Sequence, residues 1–281
     1  MDAEQHFATL AAVWDEQADA MDTSMGEHAR AARAALAAAP GERVVDVGCG
    51  AGLSAVALGA EVGADGWVAA VDVASEMVAA AARRLSAAGV HGVAVTADAA
   101  TADLVGVAGD GVPFDAVHAR FGLMFFDDPK GAFDNIFRAL RPGGRLAASV
   151  WQQLFGNPWL MLPTATAMQI LDCERPPLPE PGQPGPFSMA DPDATTALLT
   201  GAGFVDIDIR AVEAPFVFEG DGIAAAERVL RAGPLGLAFL SASEGKRREV
   251  VDGVIAAFDN YRGAGGFLVP AASWCITARR P

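Results

Sequence analysis

Basic charge is the scarcest resource of this 281-residue chain: lysine occurs only at Lys130 and Lys246, and 20 Lys and Arg stand against 35 Asp and Glu. The formal net charge of −15 leaves no basic footprint for a polyanion, so nucleic acid is excluded as an expected partner. Cysteine is sparse too. Cys49, Cys173 and Cys275 stand far apart, without the pairing of a disulfide frame or the spacing of a zinc site. No apolar run reaches the roughly 18 residues that cross a bilayer, although 52% of the chain is hydrophobic and its mean hydropathy is +0.28. Residues 1–17 carry acids where a signal peptide needs a basic stretch. These absences lead us to expect a cytoplasmic protein with no membrane partner. Its partner is expected to be a small molecule, and a homodimer is left open.

Alternation is what the chain has in quantity. Residues 1–39 carry helical spacing at Phe7, Leu10, Val13 and Trp14 and an alanine-rich run, and Pro40-Gly41 ends them. Short apolar runs at 43–47, 67–71, 93–96, 114–119 and 145–151 then read as strands. Helical stretches at 53–62, 75–88 and about 129–140 separate them, the last stopped by Arg141-Pro142-Gly143-Gly144. Such βα repetition predicts an α/β fold, a parallel sheet covered by helices on both faces. Residues 152–190 read as an insertion or lid with a helix at 161–171 and a proline-rich loop. Beyond it, a capped helix at 191–202 and strands at 205–217 and 267–278 flank a helical stretch within 222–262. Ser241 and Glu244 there have capping-box spacing. A single domain is expected, with a cap (1–39), a cofactor half (40–151), the insertion (152–190) and a C-terminal half (191–281).

The run Val44-Val45-Asp46-Val47-Gly48-Cys49-Gly50-Ala51-Gly52 reads as a buried strand entering a tight turn that opens a helix. Ligands of such sheets bind beyond the carboxyl ends of the strands. Asp46, Asp72 and Asp98 fall there. Asp72 follows Gly52 by about 20 residues, the spacing at which a carboxylate holds a ribose. Gly50-Ala51-Gly52-Leu53-Ser54-Ala55 also spells a dinucleotide fingerprint, which keeps a nicotinamide-dependent oxidoreductase as an alternative. Read from Gly48 that pattern fails at Leu53. A pyrophosphate also sits poorly beside Asp46, whereas a cationic ligand suits it.

On these residues the chain resembles the class I S-adenosylmethionine-dependent methyltransferases, in the small-molecule branch that includes ubiquinone and menaquinone biosynthesis. The 45–52 run looks like the family's first motif, Asp72 like its ribose acid, and Ala97-Asp98-Ala99 like its adenine-contacting turn. Phe114-Asp115-Ala116-Val117, Phe121-Gly122-Leu123, Leu140 to Leu146 and Ala202-Gly203-Phe204 resemble later segments. The resemblance implies a doubly wound, Rossmann-like seven-stranded sheet in order 3-2-1-4-5-7-6, the last strand antiparallel. It implies S-adenosylmethionine as cofactor and S-adenosylhomocysteine as product. Gly48, Cys49 and Gly50 would then lie at the methionine part and Asp46 at its amino group. Val73 and Met77 would flank adenine, Ala97, Asp98 and Ala99 would meet its edge, and the backbone at Ala119 and Arg120 would complete the methionine pocket.

Methyl transfer from a sulfonium works largely by alignment, so no catalytic side chain is obligatory. His118 and His28 are candidates for a base, and each has a structural reading as a packed histidine. Arg120 is a candidate for holding an acceptor anion, with a structural salt bridge to Asp127 or Asp128 as the alternative. Trp14, Met21, Met25, Phe125, Trp151, Phe155 and Trp159 are candidates for an apolar acceptor pocket. Asp127-Asp128 and Asp134-Asn135 superficially suggest a magnesium site, but adjacent acids at a loop-to-helix junction read as a helix cap, and no metal is expected. O- or C-methylation of a small metabolite is the favoured reading, and a non-methylating scaffold or cyclase built on the same pocket is the other alternative.

Overall fold

The structure, a computed structural model, describes residues 15–107, 109, 111–174 and 183–281. Helices α1 (residues 15–25) and α2 (Glu27–Leu36) come first, parted at Gly26, whose φ is 52°. There follow β1 (Arg43–Val47), α3 (Leu53–Val62), β2 (Trp67–Asp72), α4 (Ser75–Ala87), β3 (Gly92–Thr96) and α5 (Leu104–Val107). Next come β4 (Phe114–Arg120), α6 (Pro129–Ala139), β5 (Leu140–Trp151), α7 (Pro158–Leu171) and α8 (Pro192–Gly201). The last elements are β6 (Val205–Glu219), α9 (Ile223–Ala232), α10 (Gly236–Ser241), α11 (Glu244–Ala257), β7 (Arg262–Gly263) and β8 (Gly266–Arg279).

The sheet runs β3-β2-β1-β4-β5-β8-β6, with β7 pairing only with β8. Strands β1 to β5 are mutually parallel, and β8 lies antiparallel between β5 and β6. The expected order is therefore observed, with the two-residue β7 added. Alternation along each strand feeds two cores. Val44, Val68, Ala70, Ala116 and Ala147 pack with Ala32, Leu36, Ala55, Leu58 and Leu85 of α2, α3 and α4. Val45, Val47, Ala69, Val71, Val117 and Leu146 face the other way, towards Phe133 and Ile136 of α6. Covering helices on both faces explain why the central strands are predominantly apolar.

Strands β6 and β8 overrun β5. Their pairing continues from Val205↔Arg279 to Glu219↔Gly266, whereas β5 leaves β8 at Trp151↔Ser273. The overrun carries Phe216, Phe218, Phe267 and Val269, buried against α11 residues Val250 and Val254 and against Phe258. It rises past the carboxyl end of β5, where a ligand is expected.

Several boundaries differ from the sequence reading. The cap of α11 is Ser243, which accepts from Lys246 N at 3.4 Å, because α10 occupies 236–241 and absorbs Ser241. Helix α7 begins at Pro158, three residues earlier than expected. Asp191 caps α8 as expected, accepting from the Asp193 and Ala194 amides. Phe7, Leu10, Val13, Trp14 and most of the proline-rich loop (175–182) lie outside the described residues.

Gly52 marks where α3 and α4 meet most closely: a Cβ there would lie 2.7 Å from Ala81 Cα, and its φ is 88°. Gly52→Ala is expected to lower unfolding free energy by about 1–3 kcal/mol through overpacking and backbone strain. Equal denaturant midpoints for the two proteins would show that the helices part freely.

Candidate active site

Beyond the carboxyl ends of β1, β2 and β4 lies one cleft of about 790 Å³, within the ~300–1,000 Å³ common for small-molecule sites. The glycine turn forms one wall, and its glycines do different work. Gly48 (φ 69°) lies against Gly122: a Cβ on it would sit 2.9 Å from Gly122 Cα. Gly50 (φ 51°) has nothing within 4 Å of its Cβ position, so its backbone borders open space where a ligand can approach. Cys49, between them, is 3% exposed. Burial, then the charges of Asp46 and Asp72, push its thiol well up, so it stays protonated.

Asp72 lines the cleft, with Oδ2 accepting from Gly50 N at 2.8 Å and Oδ1 from Ala74 N at 3.0 Å. Burial raises its pKa above the ordinary carboxylate value, partly offset by those amides. Its folded pKa is the higher one, so this term favours the fold below an ordinary aspartate's pKa and is lost as pH rises through the raised value. Asp98 accepts from Ala100 N at 2.8 Å and Thr101 Oγ1 at 3.1 Å at the cleft edge. The turn is held from below by Asn135, whose Nδ2 donates to Ala99 O (2.9 Å) and Ala102 O (2.7 Å). From sequence, Asn135 stands out only beside Asp134, in a superficial magnesium-site pattern, and not as the brace of this turn. Its signal was a polar residue on the buried face of α6, among Ala132, Phe133 and Ile136.

Val73, Met77, Ala97, Ala99 and Arg120 also line the cleft. So do Met21 and Met25 of α1, with Phe125, Trp151 and Trp159. Helix α1 is held over the opening by arginines of the sheet half. Arg84 donates to Asp15 at 2.6 Å and to Ala51 O at 3.1 Å, and Arg120 pairs with Asp22. The salt-bridge partner of Arg120 is therefore Asp22, not Asp127 or Asp128. Asp128 instead caps α6, accepting from Gly131 N at 3.0 Å. Among the described residues, no group of three or more His, Cys, Asp or Glu is placed to hold a metal ion.

Four expectations are corrected. Asp46 does not reach the cleft: it is 0% exposed and points away from it, under the glycine turn. Its Oδ1 accepts from His118 Nδ1 and its Oδ2 from Ser54 Oγ, both at 2.7 Å. His118, opposite Asp46 in the β1–β4 register, is thereby turned into the α2–α3 side of the sheet. His28 is likewise buried. Its Nε2 donates to Ala214 O at 2.9 Å, since a carbonyl only accepts, and its Nδ1 then accepts from Ser273 Oγ at 2.8 Å. Burial lowers its pKa, which suits a neutral ring. The Ala119 side chain faces the α6 core because side chains alternate along β4, which leaves the expectation for its backbone standing. Phe155, 81% exposed on the turn before α7, points to solvent. Trp14 lies outside the described residues. Missed from sequence were Phe121, Met124, Phe126, Leu160 and Val229, which share the cleft wall. Phe121 and Gly122 sit in a segment flagged only for its resemblance.

Comparison with known proteins agrees with this geometry. Residues 44–144 match the family described as "Methyltransferase domain". A demethylmenaquinone methyltransferase of Renibacterium salmoninarum is 30% identical over 177 residues, 58% of this chain and 67% of the relative. An arsenite methyltransferase of Halobacterium salinarum is 31% identical over 207 residues, 74% of this chain but only 44% of the relative's length. Among solved structures, the cyclase SpnF shares the fold, with TM-score 0.54 and 18% identity over 97% of this chain and 95% of that one.

The buried Ser54–Asp46–His118 set generates a prediction. Asp46→Ala strands His118 in the core and is expected to cost about 3 kcal/mol of stability. Chemical denaturation measures it, and a loss below about 0.5 kcal/mol, the scale of surface changes, would contradict the role assigned to the pair.

Proposed function

The chain belongs to the class I S-adenosylmethionine-dependent methyltransferases, and from that premise we propose that it methylates a small, largely apolar metabolite, at oxygen or carbon, without a bound metal. The observation that carries this reading is the continuity of the cleft. One space joins Gly50 and Asp72, at the nucleoside side, to Met21, Met25, Trp151 and Trp159.

The donor set suits the cofactor. Gly50 leaves room that a Cβ would fill, and Asp72 offers a half-buried carboxylate at ribose spacing. Asp98 and the Ala99 backbone stand at the edge where adenine is expected. When bound, the cofactor would supply a methyl group whose bond to sulfur breaks as an electron pair of the acceptor bonds to the methyl carbon, leaving a neutral thioether, with the acceptor's proton released to solvent. The protein's part is to hold the acceptor in line, a contribution of about 7–11 kcal/mol in favourable cases. Arg120 lines the same cleft with its side chain 14% exposed, placed to meet an acceptor oxygen. The likeness to a cyclase keeps a second reading, in which the same pocket folds a substrate without methyl transfer.

Product mass separates the two. Incubation with S-adenosylmethionine and candidate metabolites is expected to yield S-adenosylhomocysteine and an acceptor heavier by one methylene. A converted but isomeric product would favour the second reading. Asp72→Ala is expected to weaken S-adenosylhomocysteine binding by about 1–3 kcal/mol in calorimetry. The ribose hydroxyls need Asp72 ionised, so wild-type affinity is full above its raised pKa and falls as pH drops through it. Binding in that window releases a proton, and an affinity flat across the acid range would refute the assignment. Arg120→Ala is expected to raise the acceptor's KM several-fold while cofactor affinity holds. Unchanged acceptor kinetics would restrict Arg120 to securing α1.

A further inference from the structure

Phe121 breaks a local rule. Its φ of 60° is left-handed, a region that bulky side chains avoid. The turn explains the φ. The chain leaving β4 must swing so that Gly122 comes to rest against Gly48, and Phe121 N donates to Ser149 O at 2.8 Å on the way. Nothing in that turn calls for a ring, and glycine or asparagine would take the conformation with less strain. Strain of this kind persists where the side chain has work to do.

Among the described residues the ring has one aromatic partner. It stacks on Trp151 with centroids 4.1 Å apart and planes 10° from parallel. Trp151 is in turn fixed by His28 (5.4 Å) and Trp159 (5.0 Å). His28 is itself anchored by Ser273 and Ala214. Phe121 is half-buried and lines the cleft directly after Arg120 and beside the glycine contact. A rigid aromatic pair thus stands beside the turn where the cofactor is expected.

We propose that Phe121 is a specificity-determining residue, the platform on which the acceptor stacks, and that the acceptor is therefore a flat conjugated ring. The proposal rests on the methyltransferase reading for placing an acceptor at this wall. An acceptor ring on Phe121 extends the stack begun by Trp151, with the offset geometry that aromatic faces prefer. Arg120, one residue earlier, then faces a substituent on that ring.

The test uses the full chain. Calorimetry with S-adenosylhomocysteine comes first, and its failure counts against the methyltransferase reading alone. Then 2-naphthol and decahydro-2-naphthol are titrated, with tryptophan fluorescence as readout, into the S-adenosylhomocysteine-loaded protein or, if that ligand does not bind, into the free protein. Both probes carry ten ring carbons and one hydroxyl, so plain burial does not favour the flat one. The flat probe is expected to bind about tenfold more tightly. Phe121→Gly relieves the backbone and is expected to keep or raise Tm while abolishing that ratio. Phe121→Leu, which retains bulk without a π face, is expected to abolish it too, and Phe121→Tyr to preserve it. Equal binding of the two probes, binding of neither, or a ratio unchanged in Phe121→Gly and Phe121→Leu would overturn the proposal.

Discussion

The carboxyl ends of β1 and β4 touch backbone against backbone, at Gly48 and Gly122, and the rest of the site follows from that contact. A Cβ on either residue would come within about 3 Å of the other strand end's backbone, so the two strand ends close only as glycine on glycine. Closure there gives the cleft its floor. It sends the glycine turn outward, leaving Gly50 beside open space, and forces the swing that gives Phe121 its positive φ. Both walls of the cleft are set by one steric requirement.

Beneath that floor, charge is neutralised by side chains that never see a ligand. Asp46 spends both oxygens on His118 and Ser54, tying β1 to β4 and to the start of α3. His28 does comparable work above β6 and β8, bridging α2 to Ala214 and Ser273 while bracing Trp151. Two histidines that look like bases in the sequence are instead struts. Arg84 and Arg120 complete the frame by reaching from α4 and β4 to the acids of α1. Helix α1 therefore belongs to the cleft's walls through ion pairs as well as through Met21 and Met25.

How far the sequence was legible follows from which signals are local. The strand and helix alternation and the acids Asp72 and Asp98 rest on short-range patterns, whereas the sheet order, Val73 and Met77 were implied by the family resemblance, and all four residues line the cleft. The direction of Asp46 was not legible. Strand alternation puts every second residue on the far face, but only the β1–β4 register reveals that His118 waits there. The capping residue of α11 was displaced from Ser241 to Ser243 because α10, too short to leave a periodic signature, intervenes. Phe155 was misread because a large apolar residue in a turn is indistinguishable by composition from one in a wall. Trp151 and Trp159 line the cleft, yet their bracing by His28 and Phe121 depends on contacts between distant parts of the chain.

The division of labour fits the chemistry. Among the described cleft-lining residues, the titratable groups are Cys49, Arg120 and the aspartates 72, 98, 127 and 128. Cys49 and Asp72 belong to the glycine turn and the end of β2, and Asp128 caps α6. The opposite wall is methionine and aromatic, drawn from α1, β5, α7 and the turn after β4. An electrophile that carries its own leaving group needs a nucleophile brought into line more than it needs a proton moved. A wall that only positions must not give way. The aromatic chain from Phe121 through Trp151 and Trp159 to Phe216, stacked at both ends with centroids 4.1 Å and 4.3 Å apart, supplies that stiffness. Its polar bracing is placed behind the rings, where it holds them without facing the acceptor.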